Sequence, residues 1–514
     1  LRLATKTKAL FFNQHNRRFA WGLIVSNRTI HAYAFGPDDI WKSTTMDISG
    51  DKGRRAFISL LVDWSLCPVD HLGFDPSIRY IVDRCVGGSY LEIDVHELDR
   101  STGKVESRTY YSQRCLGATD HLAGCHARYF AASASPESMD KPAFLVKDMW
   151  MTTGGGSAGD SHESSFLNVL HAEFDKSSEF SGSFVQIVSA GPVYINRGNT
   201  IVADSTTTAF VGLPSTTRDV AKDSDNAQGS SNRQVRQHRR TVVKWAGNMI
   251  SEAENQSQVV VAVADAMIAL NAVYAKCKIL HSNISDQAIL LQQMVDGIKG
   301  VLAEFDYASY AGANADESPE LMLFQSIRSL DNPRAIRTPL DDCESLLYLV
   351  CWLGTFGVNQ AQRAAYAARH AAGFELHLPI KNWNQGTAAH IASYKRLHMA
   401  TEAIFCDAIV SRMSEDEDSP LQNLAMDIYR VLFLHPGCYG TIWLSNRQFA
   451  RVMDVDIRAA LHEVPVINGK RDPLVLRYAF MAAILANLLG VLARHRDVVL
   501  AALGTAAANT EGGS

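Results

Sequence analysis

Ile279 to Leu291 reads ILHSNISDQAILL, and this stretch decides how the 514-residue chain is read. A histidine is followed by a polar pair, a short polar turn and a hydrophobic run of strand character. Just upstream stands VVVAVADAMIALNAVYAKCKIL, apolar too often along its length to be anything but a helix central to a core. The two positions in the stretch whose chemistry matters are Asn283 and, five residues on, Ala288.

Working outward, three further features fall in a consistent order. AFLVKDMW places Lys147 inside an apolar strand, where an inward-facing ammonium is costly without a partner. In DSHESSFLNVLHAEF, residues Glu163, Leu167, Leu170 and Phe174 share one helical face, so the Glu163 carboxylate points with the core-facing residues and Glu173 does not. GVLAEFDYAS reads as a strand from Val301 to Phe305, with Glu304 and Asp306 on either side of the phenylalanine. RTPLDDCESLLYLVCWLGTF then reads as a buried helix, with Asp341 available as its N-cap and Asp342 beside it.

Taken in this order, the pieces resemble the fungal-type protein kinase-like family, over roughly Arg18 to Phe449. LGFDPSI, Leu72 to Ile78, and DDCESLLYLVCW are the most distinguishing matches. The resemblance implies an α+β, bilobed protein-kinase-like fold, with a β-rich small lobe, an N-terminal β-rich extension, a helical large lobe and the nucleotide between the lobes. In kinases the loop is written H-R-D-L-x-x-x-N, and a strand lysine holds the α/β-phosphates and a helix glutamate. On that likeness Lys147, Glu163 and Gly117 are the nucleotide-binding positions, and the hinge lies near Lys244 to Asn248. Asn283 occupies the place of the catalytic base. Glu304 and Ala288 occupy the two metal-ligand positions, and His281 and Asp342 support the loop. Asp306 in the third position of E-F-D is a family trait.

The departures carry the functional reading. Phosphoryl transfer is mostly positioning and charge stabilisation, and a neutral amide at Asn283 hydrogen-bonds a hydroxyl but takes no proton at pH 7. Ala288 removes one metal ligand. Glu304 keeps the charge of the other, but its extra methylene displaces the carboxylate, and Mg²⁺ tolerates little misplacement. CLGATDHLAGC, with Gly117 and Gly124, is a thin phosphate-covering loop. Asp286, three residues past Asn283, is the possible substitute base. The expected function is therefore a pseudokinase acting as a binding or scaffold module, with ATP bound weakly and without Mg²⁺. The alternative is an active Ser/Thr kinase with a rearranged site using Glu304 and Asp286.

Bulk composition agrees with an ordinary globular chain: 47% hydrophobic, 20% charged and a formal charge of −5. Neither nucleic-acid nor membrane affinity follows from that charge, and a protein partner is what the pseudokinase reading implies. Nine cysteines without a C-x-x-C pair point to reduced core thiols in a cytoplasmic or nuclear setting. AFMAAILANLLGVLA, Ala479 to Ala493, is short for a bilayer span and reads as a buried or partner-binding helix. The organisation expected is an extension over 1–110, a small lobe over 111–250, a helical lobe over 251–449 and a helical tail over 450–514. Residues 204–240 read as a polar insertion, and the basic run Arg233 to Arg240 as a solvated loop end.

Overall fold

Most strands of the chain lie before residue 250 and most helices after it. A computed structural model describes all residues except 1, 38–39, 84–87, 100–103, 119–124, 153–162, 178, 198–199, 207–234, 296, 314–321, 359, 372–377, 414–418, 434–465, 468–469, 472 and 512–514. It contains two compact units, Leu1–Ser157 with Ile187–Trp245, and Ala158–Gln186 with Ala246–Ser514.

The first unit opens with helix α1 (Arg2–Asn13) and strands β1 (Ala20–Ser26), β2 (Thr29–Phe35), β3 (Ile40–Lys42) and β4 (Met46–Asp47), with β2 pairing all three others. Helix α2 (Asp51–Leu66) covers this small sheet, seating Leu60, Phe57 and Trp64 against Ile30, Ala32 and Met46. Strands β5 (Ile78–Asp83), β6 (Gly88–Asp99), β7 (Lys104–Ala118), β8 (Arg128–Ser133), β9 (Phe144–Thr152), β10 (Ile187–Pro192) and β13 (Arg236–Lys244) form one antiparallel sheet in the order β10-β13-β9-β8-β7-β6-β5. Strands β11 (Tyr194–Arg197) and β12 (Thr200–Ala203) make a separate hairpin. Position 110 lies inside β7, and β5 and β6 share the sheet with Lys147. The extension is thus continuous with the small lobe.

Both faces of this sheet are covered. Ile93, Phe130, Val146 and Val242 pack on one, and Tyr129, Met149 and Leu145 on the other. Successive strand residues point to opposite faces, so neighbours Lys147 and Asp148 enter different layers, both buried. Asp148 accepts from Arg240 Nε at 2.9 Å and Nη2 at 2.6 Å, and from His238 Nε2 at 2.9 Å. His238 Nδ1 lies 3.0 Å from Asp204, which also pairs with Arg18. Arg240 Nη2 reaches Asp75 at 2.9 Å, and Asp75 belongs to LGFDPSI. That motif is therefore an anchor between the N-terminal segment and the sheet. It also corrects the reading of residues 204–240 at both ends. Asp204 is buried, and the basic run enters strand β13, where His238 and Arg240 are 1% exposed. Buried carboxylates from distant positions turn a polar stretch into a core strand, a pairing that local composition does not reveal.

Because His238 sits between two carboxylates, its imidazole is pushed up to about 9, with burial opposing and Asp148 dominating the rise. The folded state therefore binds a proton more tightly than the unfolded chain, whose histidine titrates near 6.5. The resulting stability is full below pH 6.5 and is lost as pH rises through 9, about 3 kcal/mol in all. Denaturant titrations at pH 6.5 and 9.5 should show this fall, and a His238→Gln variant should lack it.

In the second unit, helix α3 (Glu163–Phe174) buries Glu163 with Phe166, Leu167, Leu170 and Phe174. After the short strand β14 (Asn248–Met249), helix α4 (Gln256–Cys277) starts at Asn255, whose side chain accepts from Gln258 N–H, and stops at Lys278 in the left-handed region. Its length and mean hydropathy of 1.7 would suit a membrane span, but 67% of that window is buried within the fold, as in a core helix. Strands β15 (Ile279–Leu280), β16 (Ile289–Met294), β17 (Gly297–Leu302) and β18 (Ser309–Tyr310) follow. The β16–β17 hairpin lies on α4 closely enough that a Cβ at Gly300 would stand 2.5 Å from the Ala262 carbonyl oxygen.

The Pro339–Phe356 helix is capped by Thr338, not by Asp341. Asp341 is the third helical residue, and its carboxylate accepts the Thr338 N–H at 2.6 Å. Proline at the first helical position fixes the start there. The Pro473–Glu511 helix buries Ile484, Leu485, Leu488 and Leu492, and it packs on α4. Of the seven cysteines described, Cys125, Cys343 and Cys351 are buried and Cys406 is exposed.

Candidate functional site

Ile279 to Leu291 folds as a short strand, an irregular loop and the start of β16, and the loop is held from two sides. The N–H groups of His281 and Ser282 donate to the two Asp342 carboxylate oxygens at 3.0 and 2.8 Å. His281 Nε2 donates to the Ala303 carbonyl at 2.7 Å, and its ring lies 4.5 Å from Phe305. Ser282 has φ of +64°, a conformation that L-residues adopt only when surroundings impose it. Arg337 supports it, donating to the Ser282 carbonyl at 2.7 Å. Burial pushes the Asp342 carboxyl up to about 7, against the pull of its two backbone donors.

This scaffold places the positions singled out in the sequence. Asn283 is half-buried, its N–H directed at His281 Nδ1 at 3.3 Å. Ala288 is wholly buried, and its carbonyl accepts the Ala303 N–H at 2.9 Å. A methyl therefore occupies the fifth place on, inside the packed hairpin. Asp286 is half-buried, and desolvation raises its carboxyl above the usual range, with its own backbone N–H and then Arg363 pulling it back.

A second cluster gathers around Phe305. Glu163 Oε1 accepts the Phe305 N–H at 3.2 Å, while Glu304, at φ +65°, and Asp306 flank the ring. One carboxylate oxygen from each of Glu163, Glu304 and Asp306 lies within 4.8 Å of the others. Three oxygen donors of this kind suit a hard divalent cation in charge and atom type, and Ala288 adds none. The other such cluster among the described residues, Asp75, Asp148 and His238, does not suit a cation. Arg240 and a protonated His238 already neutralise it.

Lys147 stands in the first unit, 4% exposed, its ammonium 5.6 Å from the Tyr129 ring centroid. Gly117 lies within β7, beside a register shift opposite Tyr129, and a Cβ there would meet only that ring at 3.9 Å. Gly124 falls outside the described residues. Sequence reasoning passed over Arg337 and Asp148. For Asp148 a signal existed: adjacent opposite charges in an apolar strand require two covered faces, each with a partner.

A strand-rich unit with a buried lysine, and a helical unit whose histidine loop hangs from a buried aspartate, define a protein-kinase-like protein. The family model described as Fungal protein kinase matches residues 1–354, and the chain belongs to that family. The match begins upstream of Arg18 and ends within the buried Pro339–Phe356 helix. Among solved structures, vaccinia related kinase 3 is similar over 66% of this chain and 89% of its own, at 11% identity and a TM-score of 0.32. No curated protein matches.

Proposed function

We propose that the chain is a pseudokinase, a kinase-fold binding module that transfers phosphate slowly or not at all. The observation that carries this is the contrast inside one loop. His281, Ser282 and Asp342 are arranged as a working loop needs, yet the loop presents an amide at Asn283 and a methyl at Ala288. Removing one well-aimed catalytic group typically lowers rate by about 10²–10⁴, and here the base and a metal ligand are both absent. ATP binds weakly, with Lys147 as its phosphate contact and no requirement for Mg²⁺. The ligand that matters is a protein partner, in an intracellular setting.

Thermal shift with ATP and ADP, with and without Mg²⁺, tests this together with a radiolabelled transfer assay. The expected result is a small, metal-independent shift lost in Lys147→Met, and no transfer above background. Mg²⁺-dependent transfer that disappears in Lys147→Met would overturn it. One observation favours the runner-up, an active Ser/Thr kinase: Asp286 is a half-buried carboxylate three residues past Asn283, and desolvation raises its carboxyl, the direction a general base needs. On that reading Asp286→Asn abolishes transfer while leaving the melting temperature in place.

A further inference from the structure

Helix α2 is apolar on two sides. One side seats Leu60, Phe57 and Trp64 on the small N-terminal sheet. The other carries Ile58, Leu61, Val62 and Leu66, at spacings of three, one and four, continued by Val69 just past the helix end. These five are 59%, 40%, 47%, 79% and 62% exposed. A helix facing water on its outer side ordinarily shows polar residues there. Together the five side chains present on the order of 500 Å² of apolar surface, in the range where patches on single proteins tend to be functional.

The charges flanking the stripe are ordered along the helix. Lys52, Arg54 and Arg55 are exposed at its N-terminal end, with Asp51 beside them paired to Arg54, while Asp70 stands half-buried past the other end and Asp63 lies within the span of the stripe. A second copy of the helix laid antiparallel across the stripe, centred near residues 62–63, brings Lys52 and Arg55 of each toward Asp70 of the other. Antiparallel pairing also opposes the two helix dipoles, and a two-fold axis makes the patch its own complement. Such a pairing removes roughly 1,000 Å² in total, the size at which specific interfaces begin. We infer that α2 is a homodimerisation face, in which the apolar stripes supply the affinity and the flanking charges fix the antiparallel orientation.

Sedimentation equilibrium on the full chain tests it. The expected result is a reversible dimer with dissociation at roughly micromolar concentration, the weak end for this interface size. Leu61→Glu with Leu66→Glu should raise the dissociation constant at least tenfold, with an unchanged circular dichroism spectrum. Reversing Lys52 and Arg55 to glutamate should weaken the homodimer, and mixing that variant with one carrying Asp70→Lys should restore pairing. A chain that is monomeric throughout, or a dimer indifferent to the leucine substitutions, overturns the proposal. A failure of the mixed pair to form overturns the antiparallel arrangement.

Discussion

Replacing Arg240 with methionine is expected to lower the unfolding free energy by about 3–5 kcal/mol, the usual effect of removing one partner from a buried ion pair. Arg240 is 1% exposed and donates to two buried carboxylates, Asp75 and Asp148, as well as to Ser77 Oγ at 3.0 Å. Without it, Asp75 loses its cation, Asp148 keeps His238 and a more distant Arg128 at 3.5 Å, and neither carboxylate can reach water. The comparison that isolates the cause is the double variant Arg240→Met with Asp75→Asn, which should recover part of the loss because one uncompensated charge is gone. Urea titrations of the three proteins, at constant m-value, read this directly. A single variant within about 0.5 kcal/mol of the parent, the usual range for a neutral surface change, would mean that the network contributes nothing to folding.

The second large effect is a gain. Asn283→Asp is expected to raise ATP-dependent phosphoryl transfer about a hundredfold over the parent, the low end of what one general base supplies. The substitution preserves volume at a half-buried position, and the loop around it is fixed by Asp342 and His281, so the new carboxylate inherits a prepared geometry. Ala288→Asn is a different matter. Ala288 is fully buried, and adding atoms to a packed site costs about 1–3 kcal/mol. The single Asn283→Asp variant is therefore the informative one. A parent that already transfers as fast as this variant would shift the role of base to Asp286.

Much of the fold was legible because its signals are local. Helix α4 announces itself by near-continuous apolar letters. Strands β8 and β9 announce themselves by short runs of aromatic and aliphatic residues, and the loop at His281 by its place between them and the Pro339–Phe356 helix. The cap of that helix was misread for a local reason too, since Thr338-Pro339 precedes the more conspicuous aspartates. What escaped was anything whose meaning lies in a partner far along the chain. Asp75 and Arg240 are 165 positions apart, and neither has a periodicity that points to the other. The same holds for the clustering of Glu163 with Glu304 and Asp306.

The sequence by itself determined the family, the order of elements and the identity of the residues at Asn283 and Ala288, because side-chain chemistry at a fixed place in a loop does not depend on packing. Only the tertiary structure decided that the basic run at Arg236–Arg240 is a core strand, that the LGFDPSI segment is its anchor, and that α2 leaves one apolar face uncovered. Those outcomes turn on whether a charge or an apolar surface finds its partner on folding. Burial makes an unpaired charge too costly to keep and a paired one permissible, and no run of letters states which of the two will occur.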